Sequence, residues 1–526
     1  MSHGKTTVGD PVDIAAAAGE LVASLMLRPW GQVSPSVYET GRLVSFAPWL
    51  TGHQERIDFL IRTQHRDGSW GAPDGFGLVP TLSATEGILS ALTRGDAGTD
   101  RHRLGHTVRR GLRGLADWLS RRLELPDMPA IEHIVPSLVA LINRRCEGIE
   151  GIEGLGGHAP LPLPEGMSYD TLHLVRSWIK SGAEIPEKLL HALEIAGEEA
   201  AGAPGIRPTV IGTIGASPAA TAAWLGERAA ADAGEPAREH LEAVVRLHGG
   251  PVPVGLPITV FERTWVLSCL VRAGVPVDVP PEMVADIRAA IAPAGTPAGY
   301  GLPPDADTTS MALYTLALLG SPYEPDSLWR FRTGVHFSTW PGEQGTSVSV
   351  NAHVLDAFGQ YVARKPTAAP RYQEAIADLA AWIRDQQRPD GCWSDRWHAS
   401  PYYATVSCAL ALDAFGGSAS EQAVRAAAEW VLRTQREDGS WGRWQGTTEE
   451  TAYAMQTLLL TQGRTDPRRL SAADRGYDHM TRSTGREHPP LWLDKDLYVP
   501  LAVARAAVIA SSHLARQARV PDSVSP

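Results

Sequence analysis

The residues with the most direct chemical meaning lie in the segment GYGLPPDADTTSMALYTLALLG (299–320). Pro303 and Pro304 precede Asp305, which reads as the N-cap of an apolar helix. Asp307 and Thr308 then fall in its first turn, with Thr309 close behind. Two carboxylates two residues apart do not face each other inside a helix, but at a helix start they can converge on one cavity. Carboxyl groups held close together cannot all ionise, so one retains its proton. A helix N-terminus favours the anion left behind when that proton departs. Such a site is a loaded acid. The same residue types also serve as ordinary helix caps, and the segment alone does not decide between the two.

The surrounding chain has to position this acid. Three segments share one pattern: FLIRTQHRDGSW (59–70), WIRDQQRPDGCW (382–393) and WVLRTQREDGSW (430–441). Each runs aromatic, aliphatic, three residues, Gln, three residues, Gly, any residue, Trp. The first part closes a helix, Asp-Gly supplies the stop and turn, and Trp can cover the turn with a large apolar face. Gln can bond the orphan carbonyls of the helix end. Apolar helical stretches follow each copy: 81–92, 402–415 and 449–460. A repeated unit of helix, stapled turn and helix predicts an all-α toroid or α/α barrel. Strand signals are weak; TSVSVNAHV (346–354) alternates but runs into a helical pattern. Glycine- and proline-rich stretches at 149–168 and around 226–238 suggest boundaries.

Bulk composition narrows the function. With 526 residues and 43% hydrophobic content the chain can bury a large core and still enclose a deep apolar pocket. A formal net charge of -11 without a basic stripe argues against nucleic acid as a partner. Cys146, Cys269, Cys392 and Cys408 have neither disulfide-framework nor zinc-ribbon spacing, which fits a reducing, cytoplasmic setting. No stretch reaches the roughly 20 apolar residues of a membrane span, and the start of the chain does not read as a signal peptide. The chain carries 16 Trp against 8 Phe. Trp70, Trp382, Trp393, Trp430 and Trp441 belong to the repeats and read as structural.

The repeats resemble the QW motifs of class II terpene cyclases, and DADTT resembles their D-x-D-D acid motif. The likeness extends through SPSVYETGRLV (34–44), LPITVFERTWVLSCLVRAG (256–274), NAHVLDAFG (351–359), DRWHASPYYAT (395–405) and LWLDKDLYVP (491–500), and so spans nearly the whole chain. In detail it is similar to bacterial diterpene cyclases of the copalyl diphosphate synthase type. The resemblance implies two α/α-barrel domains with the active site between them: a β domain of residues 1–27 plus 236–526, and a γ domain inserted at 28–235. It implies Asp307 as general acid, Asp305 as its support, and Thr308 standing where the last Asp of the motif would be. It implies His353 as partner of the acid, with Asn351 nearby. Trp265, Trp340 and Trp397 are candidates for a wall that stabilises carbocations by cation–π contact, worth ~2 kcal/mol or more when desolvated. For the diphosphate, Lys495 and Arg122 or its neighbour Arg121 are candidate contacts, and Mg2+ is the expected cofactor.

The expected reaction is protonation of the terminal alkene of geranylgeranyl diphosphate and closure to a bicyclic labdane-type diphosphate such as copalyl diphosphate. No adjacent Asp pair occurs, so the D-D-x-x-D cluster of diphosphate-ionising terpene synthases is missing and the diphosphate should survive. The implied partners are the prenyl diphosphate and a downstream class I synthase or other tailoring enzyme. The histidine base of plant copalyl enzymes aligns with Leu141, so that base is not carried over. Farnesyl diphosphate as substrate and a rearranged or hydroxylated product remain alternatives. So do the zinc-dependent β subunit of a prenyltransferase, for which no Asp/Cys/His trio stands out, and a non-catalytic helical binding module.

Overall fold

The computed structural model describes residues 13–519 apart from 97, 99, 122–123, 148–158, 227–234 and 484–488. Its helices in chain order are α1 (Ile14–Leu27), α2 (Val37–Phe46), α3 (His53–Thr63), α4 (Leu78–Arg94), α5 (Arg101–Leu119), α6 (Ile131–Glu147), α7 (Asp170–Ser181), the single turn α8 (Glu187–Leu190), α9 (Pro218–Leu225) and α10 (Pro236–His248). They continue with α11 (Thr259–Arg272), α12 (Pro281–Ala289), α13 (Ala306–Leu318), α14 (Val348–Arg364), α15 (Ala369–Asp385), α16 (Pro401–Phe415), α17 (Glu421–Arg433), α18 (Thr448–Leu460), α19 (Pro467–Arg482) and α20 (Leu501–Arg519). The strands among the described residues form short antiparallel pairs: β1 (Thr296–Pro297) with β2 (Pro304–Asp305), β3 (Arg332–Thr333) with β4 (His336–Phe337), and β5 (Trp492–Leu493) with β6 (Leu497–Tyr498).

Helix contacts close two rings. In the larger, α11, α13, α14, α16, α18 and α20 each pack on the next, and α20 returns to α11. Outside it lie α12, α15, α17, α19 and, from the far end of the sequence, α1 against α20 and α11. The inner helices are buried all round, as residues 402–412 of α16 are. The outer ones bury one stripe, as α17 does with Ala423, Val424, Ala427, Trp430 and Val431. That is the division expected of a double-layered barrel. The second ring runs α2, α4, α6, the 3-10 segment Leu193–Ala200 and α9, which closes on α2.

The inserted unit extends further than the expected boundary at 235. Helix α10 packs on α9, and its Ala237, Leu241, Val244 and Val245 share a core with Leu43, Ala47, Ala219 and Ala222. The chain therefore returns to the large barrel after α10. The segments that enter and leave the insertion run side by side there, where Pro35 bridges Pro253.

The three Gln-Gly-Trp repeats make the same bonds. Trp70, Trp393 and Trp441 are fully buried, and their indole N–H groups donate to the carbonyls of Leu60, Ile383 and Val431 at 2.7–2.8 Å. Their backbone N–H groups donate to Thr81, Thr405 and Thr451 on the following inner helix. The glutamines do not cap their own helix, as the sequence suggests. Each donates to the turn glycine carbonyl and to a carbonyl of the next outer helix: Thr107, Ala423 or Ala472. The repeat thus staples neighbouring outer helices together. Gly439, at φ +87°, shows why glycine is required, since a Cβ would come within 2.6 Å of the Arg475 carbonyl oxygen on that neighbour.

The alternating segment 346–354 becomes helix, because Ser347 caps α14 by accepting from Val350 N–H. The turn between β5 and β6 reaches from the large barrel into the inserted one. Among the described residues no helix is long and apolar enough to cross a membrane.

Candidate active site

The acid segment is held from both sides of its turn. β1 pairs Thr296 with Asp305, which keeps Asp305 extended (φ -132°, ψ 159°) as the N-cap of α13. Its carboxylate oxygens accept from Thr308 N–H at 2.6 Å and from the Thr308 hydroxyl at 2.9 Å. Thr308 thus donates twice to Asp305, from its backbone and from its side chain. Thr309 accepts from Thr296 N–H at 2.7 Å and locks the turn to β1. Burial pushes the Asp305 carboxyl up to about 8, assisted by the charge of Asp307 and opposed by the bonds from Thr308. Burial thus favours the uncharged form of Asp305.

The two carboxyls diverge. Asp305 turns back on its own helix, whereas Asp307 reaches across to α14, where its Oδ1 lies 2.6 Å from His353 Nδ1. Asp307 keeps 18% of its side chain exposed while Asp305 is buried. The open carboxyl is thus the one with a histidine partner and a second oxygen, Oδ2, to spare.

Aromatic rings adjoin the pair. Trp265 meets His353 edge to face at 5.5 Å, and Trp265 Nε1 donates to the Tyr403 hydroxyl at 2.8 Å. Phe261 packs on Trp265 at 4.3 Å, and Trp492 on Tyr403 at 4.7 Å. Tyr453 lies 5.4 Å from Tyr403. Burial, and after it the charge of Asp307, lifts the Tyr403 phenol well above its usual range. The polar tips are tied down: Trp492 Nε1 and the Tyr453 hydroxyl both donate to Glu449 Oε1, at 2.8 and 3.0 Å. Tethered tips fix the rings in place, and the quadrupole of a fixed aromatic face attracts cations.

Trp340 and Trp397 meet edge to face at 5.4 Å. Trp397 Nε1 donates to the Thr339 hydroxyl, and the Thr339 carbonyl accepts from Ala306 N–H at 2.9 Å, so this pair is stitched to the first residue of the acid helix. Of the three tryptophans suggested by the sequence, Trp265 adjoins His353 directly, whereas Trp397 connects to the acid helix through Thr339 and Trp340 packs on Trp397. Phe261, Tyr403, Tyr453, Trp492 and Glu449 were not singled out there. Their segments were visible as motif-bearing stretches, but nothing local marks which side chain turns toward the acid.

Two expectations are corrected. Asn351 does not reach the acid. It accepts from Phe337 N–H and donates to the carbonyls of Phe337 and Ser347, all at 2.8–2.9 Å, which saturates it and anchors β4 to α14. Lys495 is not open to a diphosphate. It is fully buried in the β5–β6 turn, paired with Glu39 and, at 3.0 Å, Glu194, and it donates to the Ser217 hydroxyl and the His191 carbonyl. Two carboxylates already satisfy its charge. Next to it Asp494 bonds His191 at 3.0 Å, and Asp496 accepts from the Ser36 hydroxyl and from the Tyr38 N–H. The turn is a clasp between the barrels. Arg122 lies outside the described residues; Arg121 is exposed and pairs with Asp117 at 2.5 Å. Among the described residues no group of three or more His, Cys, Asp or Glu is placed to hold a metal ion. The donor set expected for Mg2+ is therefore not met by them.

Comparison with known proteins agrees with this geometry. The squalene-hopene cyclase C-terminal domain family matches residues 344–475, the stretch with His353 and two of the repeats. The chain is 42% identical over 503 residues to the ent-copalyl diphosphate synthase of Streptomyces sp. (strain KO-3988), covering 94% of this chain and 95% of that protein. It is 39% identical over 533 residues to the labda-7,13-dienyl diphosphate synthase of Streptomyces clavuligerus, covering 98% and 96%. Among solved structures, ent-copalyl diphosphate synthase from Streptomyces platensis superposes with a TM-score of 0.92 at 43% identity, covering 96% of this chain and 99% of that one.

Proposed function

The chain belongs to the class II diterpene cyclases of the copalyl diphosphate synthase type, and on that premise we propose that it cyclises geranylgeranyl diphosphate to a bicyclic labdane-type diphosphate, with Asp307 as the proton donor. One observation carries the assignment: Asp307 is the open carboxyl, gripped through one oxygen by His353 and flanked by neutral Asp305 and a tier of aromatic rings.

An alkene is a very weak base, so the acid must be both protonated and strong. His353 donating from Nδ1 to Asp307 Oδ1 stabilises the carboxylate that protonation leaves behind. The N-terminus of α13 adds roughly 0.3–1 kcal/mol in the same sense. Asp305, uncharged, adds no negative charge to oppose loss of the Asp307 proton, and its bonds to Thr308 hold the turn in shape. The proton leaves from Oδ2 and forms a C–H bond at the less substituted carbon of the terminal alkene, leaving a tertiary cation. Two successive attacks by neighbouring double bonds close the bicycle, and loss of one proton ends it. The rings of Trp265, Tyr403 and Trp492 suit the migrating charge because they stabilise a cation without offering it a lone pair.

The diphosphate is a bystander in this sequence and leaves intact on the product, which then suits a class I synthase or another tailoring enzyme. Mg2+ accompanying the diphosphate is assigned no step. All four cysteines are free thiols, which fits a cytoplasmic reaction. The test is direct: purified protein with geranylgeranyl diphosphate, phosphatase treatment, and mass spectrometry of the alcohols. A bicyclic C20 alcohol is expected; linear geranylgeraniol alone overturns the substrate, and a hydrocarbon overturns retention of the diphosphate.

A further inference from the structure

Within the large barrel lies a cavity of about 70 Å3 that His353 lines together with Trp265, Tyr403 and Tyr453, the rings that adjoin the acid pair. His353 and Asp356 line it together, being three residues apart on one face of α14. Arg272, Tyr314, Ser268 and Gln456 give it further polar surface. Asp356 is 1% exposed. Its Oδ2 pairs with Arg272, whose Nε donates to the Tyr314 hydroxyl at 2.7 Å, but Oδ1 is buried with no partner among the described residues. An orphaned buried carboxylate oxygen calls for a hidden ligand. A water needs about 10–15 Å3 and two to four polar neighbours, so this cavity has room for more than one.

We propose that Asp356 is a positioning residue for the acid, gripping the second ring nitrogen of His353 through water in this cavity. The inference rests on the reading of Asp307 as the proton donor. His353 Nδ1 is committed to Asp307. Nε2 is then the nitrogen left to face the cavity, where its N–H donates to a water that in turn donates to Asp356 Oδ1. Arg272 already balances the charge of Asp356, so the effect on His353 is mainly one of orientation and hydrogen bonding. The ring then donates from both nitrogens, Nδ1 to Asp307 Oδ1 and Nε2 to the water, and the transferable proton sits on Oδ2 toward the substrate. Outer partners orient the rings of metal-bound and catalytic histidines in the same way.

A double-mutant cycle tests it. Asp356→Asn is expected to lower kcat on the order of 10–100-fold, the usual cost of losing such an outer partner, with KM little changed. In a His353→Ala background the same substitution should cost less than about threefold, because Asp356 acts through that ring. Equal losses in both backgrounds, or no loss in the parent, overturn the proposal. Should Asn at 356 leave Arg272 unpaired and the protein unfolded, the paired change Arg272→Met with Asp356→Leu removes both charges and takes its place. A readout independent of turnover uses 15N-histidine-labelled protein: the His353 ring signals should move in the paired variant, and unchanged signals refute the water bridge. Asp307→Ala runs alongside. Turnover surviving that change overturns the acid assignment itself, a result distinct from additivity at Asp356.

Discussion

Replacing Lys495 by Met separates a structural clasp from a substrate contact. The ammonium is buried between Glu39 and Glu194, with Ser217 and the His191 carbonyl completing its bonds. Removing one partner of a buried ion pair costs about 3–5 kcal/mol, because the remaining charge is left unpaired. Two carboxylates are stranded here, so the upper end applies. For a domain of this size each kcal/mol lowers Tm by roughly 2–4 °C, giving a fall on the order of 10 °C. The loss should depend on pH. Burial lifts Glu39 to about 7 against the pull of Lys495, from an ordinary value of 4.5. A carboxyl raised in the folded state stabilises fully below its unfolded pKa, and that stability is lost as pH rises through the folded value. Without the lysine the folded value climbs further, so melting curves should show a modest defect near pH 5 and a severe one at pH 8. Adding Glu39→Gln should recover part of the loss. Unchanged melting with a tenfold higher KM would refute this reasoning and return Lys495 to the diphosphate.

Three further outcomes follow from the site and the repeats. Asp305 holds its proton up to about 8, so kcat should fall as pH rises through that value, when a second negative charge beside Asp307 weakens the acid. Asp305→Asn, which can still accept from Thr308 N–H, should lose that alkaline limb, and a limb that persists assigns it to another group. Trp265→Leu removes the ring beside His353; loss of ~2 kcal/mol of cation–π stabilisation lowers kcat roughly 30-fold, and a wild-type rate shows that this face does not meet the cation. Trp441→Ala should cost about 3–5 kcal/mol of stability while leaving the product unchanged; an altered product would give the repeat a catalytic part.

The repeats made the barrel legible because their residues bond locally: Trp441 reaches Val431 and Thr451 within one unit. The longer reach of Gln435, to Ala472 on the next helix, depends on which helices are neighbours and could not be read from spacing. At the acid turn, Asp305, Asp307 and Thr308 lie within four residues, so their juxtaposition was visible, but the divergence of the two carboxyls was not. His353 reached the list through motif likeness, and so did Asn351 two residues earlier; helix geometry puts them on different sides, and Asn351 ends on the backbone of β4. Lys495 misled because charge on a sequence suggests exposure. Its partners Glu39 and Glu194 lie some 300 to 450 residues away in the chain and come together only when the hairpin enters the second barrel. The inserted domain's end shifted for a similar reason, since only packing shows that α10 belongs with α9.

The central claim is that Asp307 starts the reaction by giving a proton to carbon. Turnover of geranylgeranyl diphosphate in D2O reads that step. The wild-type product should carry one deuterium, on the ring carbon beside the gem-dimethyl carbon, and Asp307→Ala should form no cyclic product while melting like the parent. A bicyclic product without deuterium, or one formed at the parent rate by Asp307→Ala, would contradict the account.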